Sequence, residues 1–174
     1  MNACPSRIAA NGRWPDDVGV WSVNIPRDPD TLLPMTHSLE DTERQRADRF
    51  RQAADRCRFI AARHALRLLL GAHAGEAPQA LRFGKGCHGK PTLDGYPGLS
   101  FNVSHAGNQA LIAISAERIV GIDIERVDPT PDWQALVDIV CTSDEMHAIA
   151  QGPADQQTQS FFRCWTAKEA LLKA

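Results

Sequence analysis

A chain of 174 residues with 43% hydrophobic and 23% charged side chains holds enough apolar material for one domain or two small packed halves, which excludes a disordered or fibrous protein. Its formal net charge of −2 excludes the overall basic field of a general nucleic-acid binder, and the charge is unevenly spread. Eight arginines (Arg44, Arg46, Arg49, Arg51, Arg56, Arg58, Arg63, Arg67) stand against only Asp48 and Asp55 in the stretch from Arg44 to Arg67, while acidic residues gather between Glu117 and Glu145. Most of these arginines are expected on a solvated helix face, with the remainder free to meet phosphates.

Val18 to Ile25 alternates and is closed by Pro26, the pattern of a first strand. RDPDTLLPMTHS is turn-rich and reads as irregular, with Ser38 placed to cap the next helix. Leu39 to Leu70 is helical, with Phe59, Ala62, Leu66, Leu69 and Leu70 recurring at three and four; a break is expected near Ala53 and Asp55, and a stop at Gly71 and Gly75. Four short β segments come after it, Leu81–Phe83, Leu99–Val103, Leu111–Ser115 and Ile119–Glu125, joined by GKGCHGKP, LDGYPG and HAGNQ. Pro129 and Pro131 introduce a helix at Trp133–Val140, Ser143 caps another over Asp144–Ala150, and a last helix runs from Thr158 to Lys173. This order predicts α+β halves and not a doubly wound sheet.

Five scattered cysteines (Cys4, Cys57, Cys87, Cys141, Cys164), odd in number and without C-x-x-C, argue against a disulfide framework or a structural zinc site. The first residues lack the basic-then-apolar order of a signal peptide and no apolar run approaches membrane-spanning length, so a reducing, cytoplasmic setting is expected.

IVGIDIERVD carries the most chemistry. In a strand Asp123 and Glu125 share one face, with Ile122 and Ile124 directed to a core. Two carboxylates side by side repel unless a cation lies between them, and magnesium is bound by one or two carboxylates together with waters and phosphate oxygens. The plain alternative is an exposed face neutralised by Lys or Arg. In FFRCWTAKEALLKA, Glu169 and Lys173 are four apart on a helix whose apolar stripe (Phe162, Trp165 and, near them, Leu172) would dock it. Glu169 then supplies a third oxygen and Lys173 meets a phosphate; by itself the pair is an ordinary surface couple. Gly84 to Lys90 meets the first seven positions of the P-loop pattern G-x-x-x-x-G-K-S/T, but Pro91 offers no hydroxyl, and a turn and strand stand where a helix should begin. Ser104 and His105, at the mouth of a hairpin, are placed to bind a pyrophosphate or simply to satisfy a turn; no G-x-S-x-G elbow accompanies them.

The strings HGKPTL, LSFNVSHAG, VGIDIERVD and FFRCWTAKEALLKA, preceded by the Arg-rich DRFRQAADRCRFIAARHALR, resemble in order and spacing the surfactin-synthetase-activating class of the 4′-phosphopantetheinyl transferase superfamily, from about Val18 to the last residue. The resemblance implies two similar α+β halves related by a pseudo-twofold axis, residues 1–116 and 117–174, with antiparallel sheets, long packing helices and the active site in the cleft between. It implies that Asp123, Glu125 and Glu169 hold Mg2+, that Lys90 (with Pro91 beside it), Ser104 and His105 contact coenzyme A, and that Lys168 and Lys173 bind phosphates. Arg46, Arg58 and Arg63 are its candidates for the 3′-phosphate. The general base is Glu145 or Glu169 acting through water, with Asp144 an alternative to Glu145. The implied reaction moves 4′-phosphopantetheine from coenzyme A to a serine of an acyl or peptidyl carrier protein and releases 3′,5′-adenosine diphosphate, in a monomer with no nucleic-acid or membrane partner.

Members of the family continue past the K-E-x-x-x-K helix with a glycine turn and further strands, so the second half is expected to be incomplete here, and the chain less stable and less active than a version extended into those strands. The rival readings are a catalytically impaired coenzyme A or carrier-binding module of the same fold and, more remotely, a nucleic-acid binder using the arginine-rich helix.

Overall fold

The computed structural model describes residues 3–86, 89–127 and 133–174; Cys87, His88, Pro129 and Pro131, singled out by their sequence, lie outside the described residues. The chain is α+β with antiparallel sheets, as expected. Strand β1 (Ser6–Arg7) is too short and too exposed to show any alternation in the sequence. Strand β2 (Gly19–Asn24) falls within the expected Val18–Ile25. Two further strands, β3 (Phe83–Lys85) and β4 (Pro91–Leu93), form a separate antiparallel pair. Strands β5 (Ser100–Ala106) and β6 (Gln109–Ser115) make a hairpin that turns at Gly107, where φ is +57° and a side chain would be strained. The main sheet has the order β1-β2-β6-β5, antiparallel throughout. The glycine string that mimics a P-loop lies between β3 and β4, two paired antiparallel strands, where a P-loop would lead from a strand into a helix.

The RDPDTLLPMTHS segment is more ordered than its turn-rich composition predicts. Residues Pro29–Ser38 form a 3-10 helix capped by Asp28, whose carboxylate accepts from the Asp30 N–H at 3.0 Å. Proline at the first helical position and Leu32 and Met35 turned inward explain why it holds. Ser38 is the last residue of this element and not the cap of the next: its hydroxyl donates to Met35 O and meets His64 Nδ1, both at 2.8 Å. The cap of helix α1 (Asp41–Asp48) is Glu40, in a reciprocal capping box with Glu43. The expected break falls at residues 49–52, and helix α2 runs Ala53–Ala74. Gly71 does not stop α2; a Cβ there would sit 2.7 Å from Glu76 O, so glycine serves close packing. The stop is Gly75, in the left-handed region at φ +69°.

Helix α2 lays Ile60, Ala61, Ala65 and Leu70 against Val23, Phe101, Ile112 and Ile114 of the sheet, one contiguous core. Arg67 crosses this core with no exposed surface. Its guanidinium donates to Glu43 Oε2 at 2.7 Å, to Pro78 O at 2.6 Å and to Leu81 O at 3.1 Å. A carboxylate and two carbonyls around a buried cation are what allow it to stay charged. The composition-based expectation of a solvated face thus fails for Arg67.

A second, smaller core lies among helices α3 (Gln134–Val140), α4 (Ser143–Gln151) and α5 (Gln157–Lys173), built from Trp133, Cys141, Ile149, Phe161 and Phe162. Thr142, not Ser143, caps α4, through a capping box with Glu145. On α5 the docking stripe is Phe161, Phe162 and Trp165; Leu172 is 82% exposed because the helix runs past this core by its last turn.

Arg67→Ala leaves Glu43 and two carbonyls without their buried partner. The expected loss is about 3–5 kcal/mol of unfolding free energy in urea titration; a loss under about 1 kcal/mol would overturn the view of Arg67 as a core ion pair.

Candidate active site

The site is built on β5. Phe101 and Val103 turn to the first core, so Ser100, Asn102 and Ser104, two apart, share the opposite face. That face carries the segment 118–127. Ser100 Oγ accepts from the Val120 N–H at 3.1 Å, Asn102 Oδ1 accepts from the Ile122 N–H at 3.1 Å, and Ser104 Oγ donates to Asp123 Oδ1 at 2.7 Å. The expected strand Ile119–Glu125 is therefore not a strand: among the described residues, side chains and no backbone ladder hold it. The segment enters from a clasp in which Arg118 grips Asp17 with two nitrogens, at 2.6 and 2.7 Å, while Ser115 Oγ donates to the same carboxylate at 2.9 Å.

Losing the ladder also changes which side chains are buried. Ile122 and Ile124, expected in a core, are half-buried, and the carboxylate of Asp123 is only 1% exposed. One of its oxygens, Oδ1, accepts from Ser104 and from the Lys173 ammonium at 2.5 Å; the other, Oδ2, is buried with no hydrogen-bond partner among the described residues. Glu125 has its carboxyl pushed up by burial, then by the negative charges of Asp123 and Glu169, with Lys173 opposing. Four groups named from the sequence thus form one electrostatic unit. The pairing differs from expectation in one respect, since Lys173 reaches the acidic segment and not its helical neighbour Glu169.

Helix α5 comes this close because residue 121 is glycine. A Cβ there would lie 1.9 Å from Ala170 O and 2.7 Å from the Ala174 nitrogen. Asn102 Nδ2 reaches Lys173 O at 3.5 Å, and Lys90 Nζ donates to Val120 O at 2.9 Å and Ala174 O at 2.8 Å. Lys90, expected at coenzyme A, is thus engaged in tying segment and helix together. Ser100, Asn102 and Gly121 are the positioning residues that sequence reasoning missed; S-x-N-x-S at period two was the available signal.

A cavity of about 580 Å³ reaches Asn102, Val103 and His105 of β5. Arg46, Arg58 and Arg63 reach it from α1 and α2, and Pro91 and His105 from β4 and β5, gathering five of the eight residues expected at coenzyme A. Lys85, Phe59 and Phe83 line it as well, unforeseen. The Arg46 guanidinium lies 5.0 Å from the Phe59 ring centre and that of Arg63 4.1 Å from Phe83, so both cations rest on aromatic faces. Arg63 also pairs with Glu43 at 2.5 Å, and Arg58 with Asp55. A second cavity of about 700 Å³ carries Arg27, Arg58, Glu125 and Arg126 on its wall, and a smaller one of about 250 Å³ is bordered by Asp123, Glu125 and Thr166.

Lys168 and Glu145 stand elsewhere. The Lys168 ammonium donates to Glu145 Oε2 at 2.5 Å and to Val140 O at 2.7 Å. That bond, joined by the Thr142 N–H at 2.7 Å, lowers the Glu145 pKa to about 2, which makes it a weak proton acceptor at neutral pH. Asp144, beside it in the first turn of α4, is exposed.

The chain matches two family models in succession, "4'-phosphopantetheinyl transferase, N-terminal" over residues 26–117 and "4'-phosphopantetheinyl transferase superfamily" over residues 119–174. It is 36% identical over 162 residues to 4'-phosphopantetheinyl transferase HetI of Nostoc sp., covering 91% of this chain and 68% of that one. It is 36% identical over 146 residues to the putative 4'-phosphopantetheinyl transferase slr0495 of Synechocystis sp., covering 82% of this chain and 59% of the other. Against the L-aminoadipate-semialdehyde dehydrogenase-phosphopantetheinyl transferase of Pongo abelii the identity is 30% over 174 residues, 93% of this chain and 55% of that one. The chain thus spans between about half and two thirds of the length of these relatives.

Gly121→Ala must push α5 off the acidic segment, and the expected cost is about 1–3 kcal/mol in urea unfolding; an unchanged midpoint would deny the close approach. The Glu145 carboxylate, depressed in the fold, contributes stability that is complete above its ordinary value of 4.5 and fades as pH falls toward about 2. Urea midpoints measured from neutral pH down through that window should fall less steeply in Lys168→Met than in the wild type. Matched in succession by two models of one family, and 36% identical to a relative of which it covers 68%, this chain belongs to the 4′-phosphopantetheinyl transferase superfamily.

Proposed function

We propose that the chain transfers the 4′-phosphopantetheine group of coenzyme A to a carrier-protein serine, in a cleft between a first half, residues 1–116, and a second, 117–174. The observation that carries this reading is the buried Asp123 carboxylate, its Oδ2 unpaired among the described residues, with the charges of Asp123 and Glu169 both acting on Glu125, which shares a cavity wall with Arg27, Arg58 and Arg126. An orphaned anionic oxygen with further negative charge around it fits a hard divalent cation, Mg2+, which Asp123, Glu125 and Glu169 would hold by drawing their oxygens together on it. Bound magnesium would draw charge from the phosphoryl oxygens in flight.

The remaining work belongs to the chain's own side chains. Arg46, Arg58 and Arg63, gathered around one cavity with Phe59 and Phe83, suit the 3′-phosphate and nucleotide of coenzyme A. His105, exposed at the same cavity, suits a phosphate oxygen, and Lys173, present at the acidic trio through Asp123, suits the pyrophosphate. Ser104 acts by fixing Asp123 and Lys90 by fixing segment 118–127, so both are assigned as positioning residues. The carrier serine Oγ attacks the β-phosphorus, the bond to the bridging oxygen breaks, and 3′,5′-adenosine diphosphate leaves with both electrons of that bond. Glu169 takes the serine proton, directly or through a water, because Glu145 is held ionised and paired at another place.

No helix among the described residues is long and apolar enough to cross a membrane. A monomer acting in a reducing cytoplasm is part of the same proposal.

The test is the mass of an apo carrier protein incubated with coenzyme A and magnesium. Covalent gain of a phosphopantetheine mass supports transfer; coenzyme A binding with no mass gain would leave a binding module instead. Asp123→Ala should slow transfer by at least about 100-fold, since each 1.36 kcal/mol of lost charge stabilisation is tenfold. Full activity in that variant would remove the metal site from the mechanism.

A further inference from the structure

Cys141 at the end of α3, Glu145 in the first turn of α4 and Cys164, 23 residues from the first thiol on α5, each place one ligand atom within 4.8 Å of the other two. The two sulfurs are 3.7 Å apart. A disulfide would require them to close to about 2.05 Å. In a tetrahedral zinc site, by contrast, two thiolates bound at about 2.3 Å are separated by an edge of roughly 3.8 Å. The sulfurs already stand at that spacing. We propose that Cys141, Cys164 and Glu145 form a three-ligand site for a thiolate-preferring divalent ion of the zinc class, separate from the carboxylate trio at Asp123.

The surroundings support the assignment. Cys141 stands just past the last turn of α3, its N–H fixed by Val137 O at 2.8 Å, and Cys164 lies within α5 beside Phe161 and Trp165. Glu145 is aimed by the capping box of α4, which holds Oε2 through the Thr142 N–H. Each ligand is therefore oriented by a neighbour's backbone or packing, as ligating side chains generally are. The Lys168 ammonium, between Val140 O and Glu145 Oε2, occupies cation-binding ground at the edge of the same cluster. It is one-third exposed and can turn outward, leaving Glu145 to the ion and a fourth position to water. The thiol protons balance the exchange: Cys141 and Cys164 each release one proton to solvent as their sulfurs bind, and no electrons are transferred. A cross-link among three helices also suits a core of only five buried residues. Sequence spacing argued against a structural zinc site because it looked for ligand pairs close in the chain, and 23 residues separate these two thiols.

Cobalt(II) is the probe, titrated into the intact chain under reducing conditions with excess Mg2+ present to fill hard carboxylate sites. One equivalent should raise near-ultraviolet sulfur-to-cobalt charge-transfer absorption and protect two thiols from an aromatic disulfide reagent, and Zn2+ should displace the cobalt. Cys141→Ser and Cys164→Ser should each weaken binding at least 100-fold, with helical circular dichroism checking that the variants fold. Absence of the band from the wild type overturns the site whether or not the variants fold, and so does a band that persists in both folded variants. A chain that takes up no cobalt but forms a Cys141–Cys164 disulfide with peroxide overturns it in favour of a redox pair. Because the readout is optical and metal-based, it stands or falls independently of the transfer reaction.

Discussion

The Asp123 carboxylate is withdrawn from water, and its two oxygens are treated differently: one is neutralised by Lys173 and bonded by Ser104, the other has no partner among the described residues. A buried carboxylate oxygen left unpaired costs on the order of 1–3 kcal/mol or more, so the surrounding structure must hold it there. It does so from three directions. Strand β5 supplies Ser104, α5 supplies Lys173, and Gly121 lets the two elements approach closely enough for both to reach one side chain. Glu125 is pushed up by burial first, then by the negative charges of Asp123 and Glu169, so both of those carboxylates act on it. Carboxylates so arranged repel each other, and the arrangement makes physical sense as a receptor for positive charge.

How the acidic segment is held bears on how it can move. A strand in a sheet shares a continuous ladder, whereas residues 118–127 are held, among the described residues, by separate bonds from Ser100, Asn102, Ser104, Lys90 and Lys173 and by the Arg118–Asp17 clasp at one end. Segments with few backbone bonds open at lower free energy than core strands. The Asp123 side chain is therefore fixed by its own contacts with Ser104 and Lys173.

Local periodicity was a reliable guide wherever a single repeat decides the outcome. Helix α2, the hairpin of β5 and β6, and α5 came from apolar spacing within a few residues of their ends. Errors arose where tertiary context overrides local pattern. Alternation in IVGIDIE reads as a strand with isoleucines inward, yet without a ladder the polar face of β5 draws Asp123 in and leaves Ile122 and Ile124 half-buried. Ser38 and Ser143 are good cap residues by type, but Glu40 and Thr142 stand at the positions where the helices begin. Of the residues singled out by the sequence, the structure gathers Arg46, Arg58, Arg63, Pro91 and His105 around one cavity and pairs Lys173 with Asp123. Lys90, Ser104, Lys168 and Glu145 were found by type and turned to structural partners, because a string of residues does not say which neighbour a side chain will choose.

Glu43 shows how closely stability and binding are joined in this molecule. Its carboxylate, 8% exposed, pairs through one oxygen with Arg67 in the core and through the other with Arg63 at the cavity wall. Burial pushes the Arg63 pKa down and Glu43 works against that shift, so the charge facing the cavity is sustained by an anion anchored from the opposite side by Arg67. Phe83 lies under both guanidiniums, at 4.1 Å from Arg63 and 5.0 Å from Arg67, and completes a single packed unit. The position of a cavity cation is thus set two residues deep in the protein, by a core ion pair that touches no ligand itself. A change at Arg67 would reach the cavity through Glu43 before it reached it through any loss of the fold, because one carboxylate serves both roles.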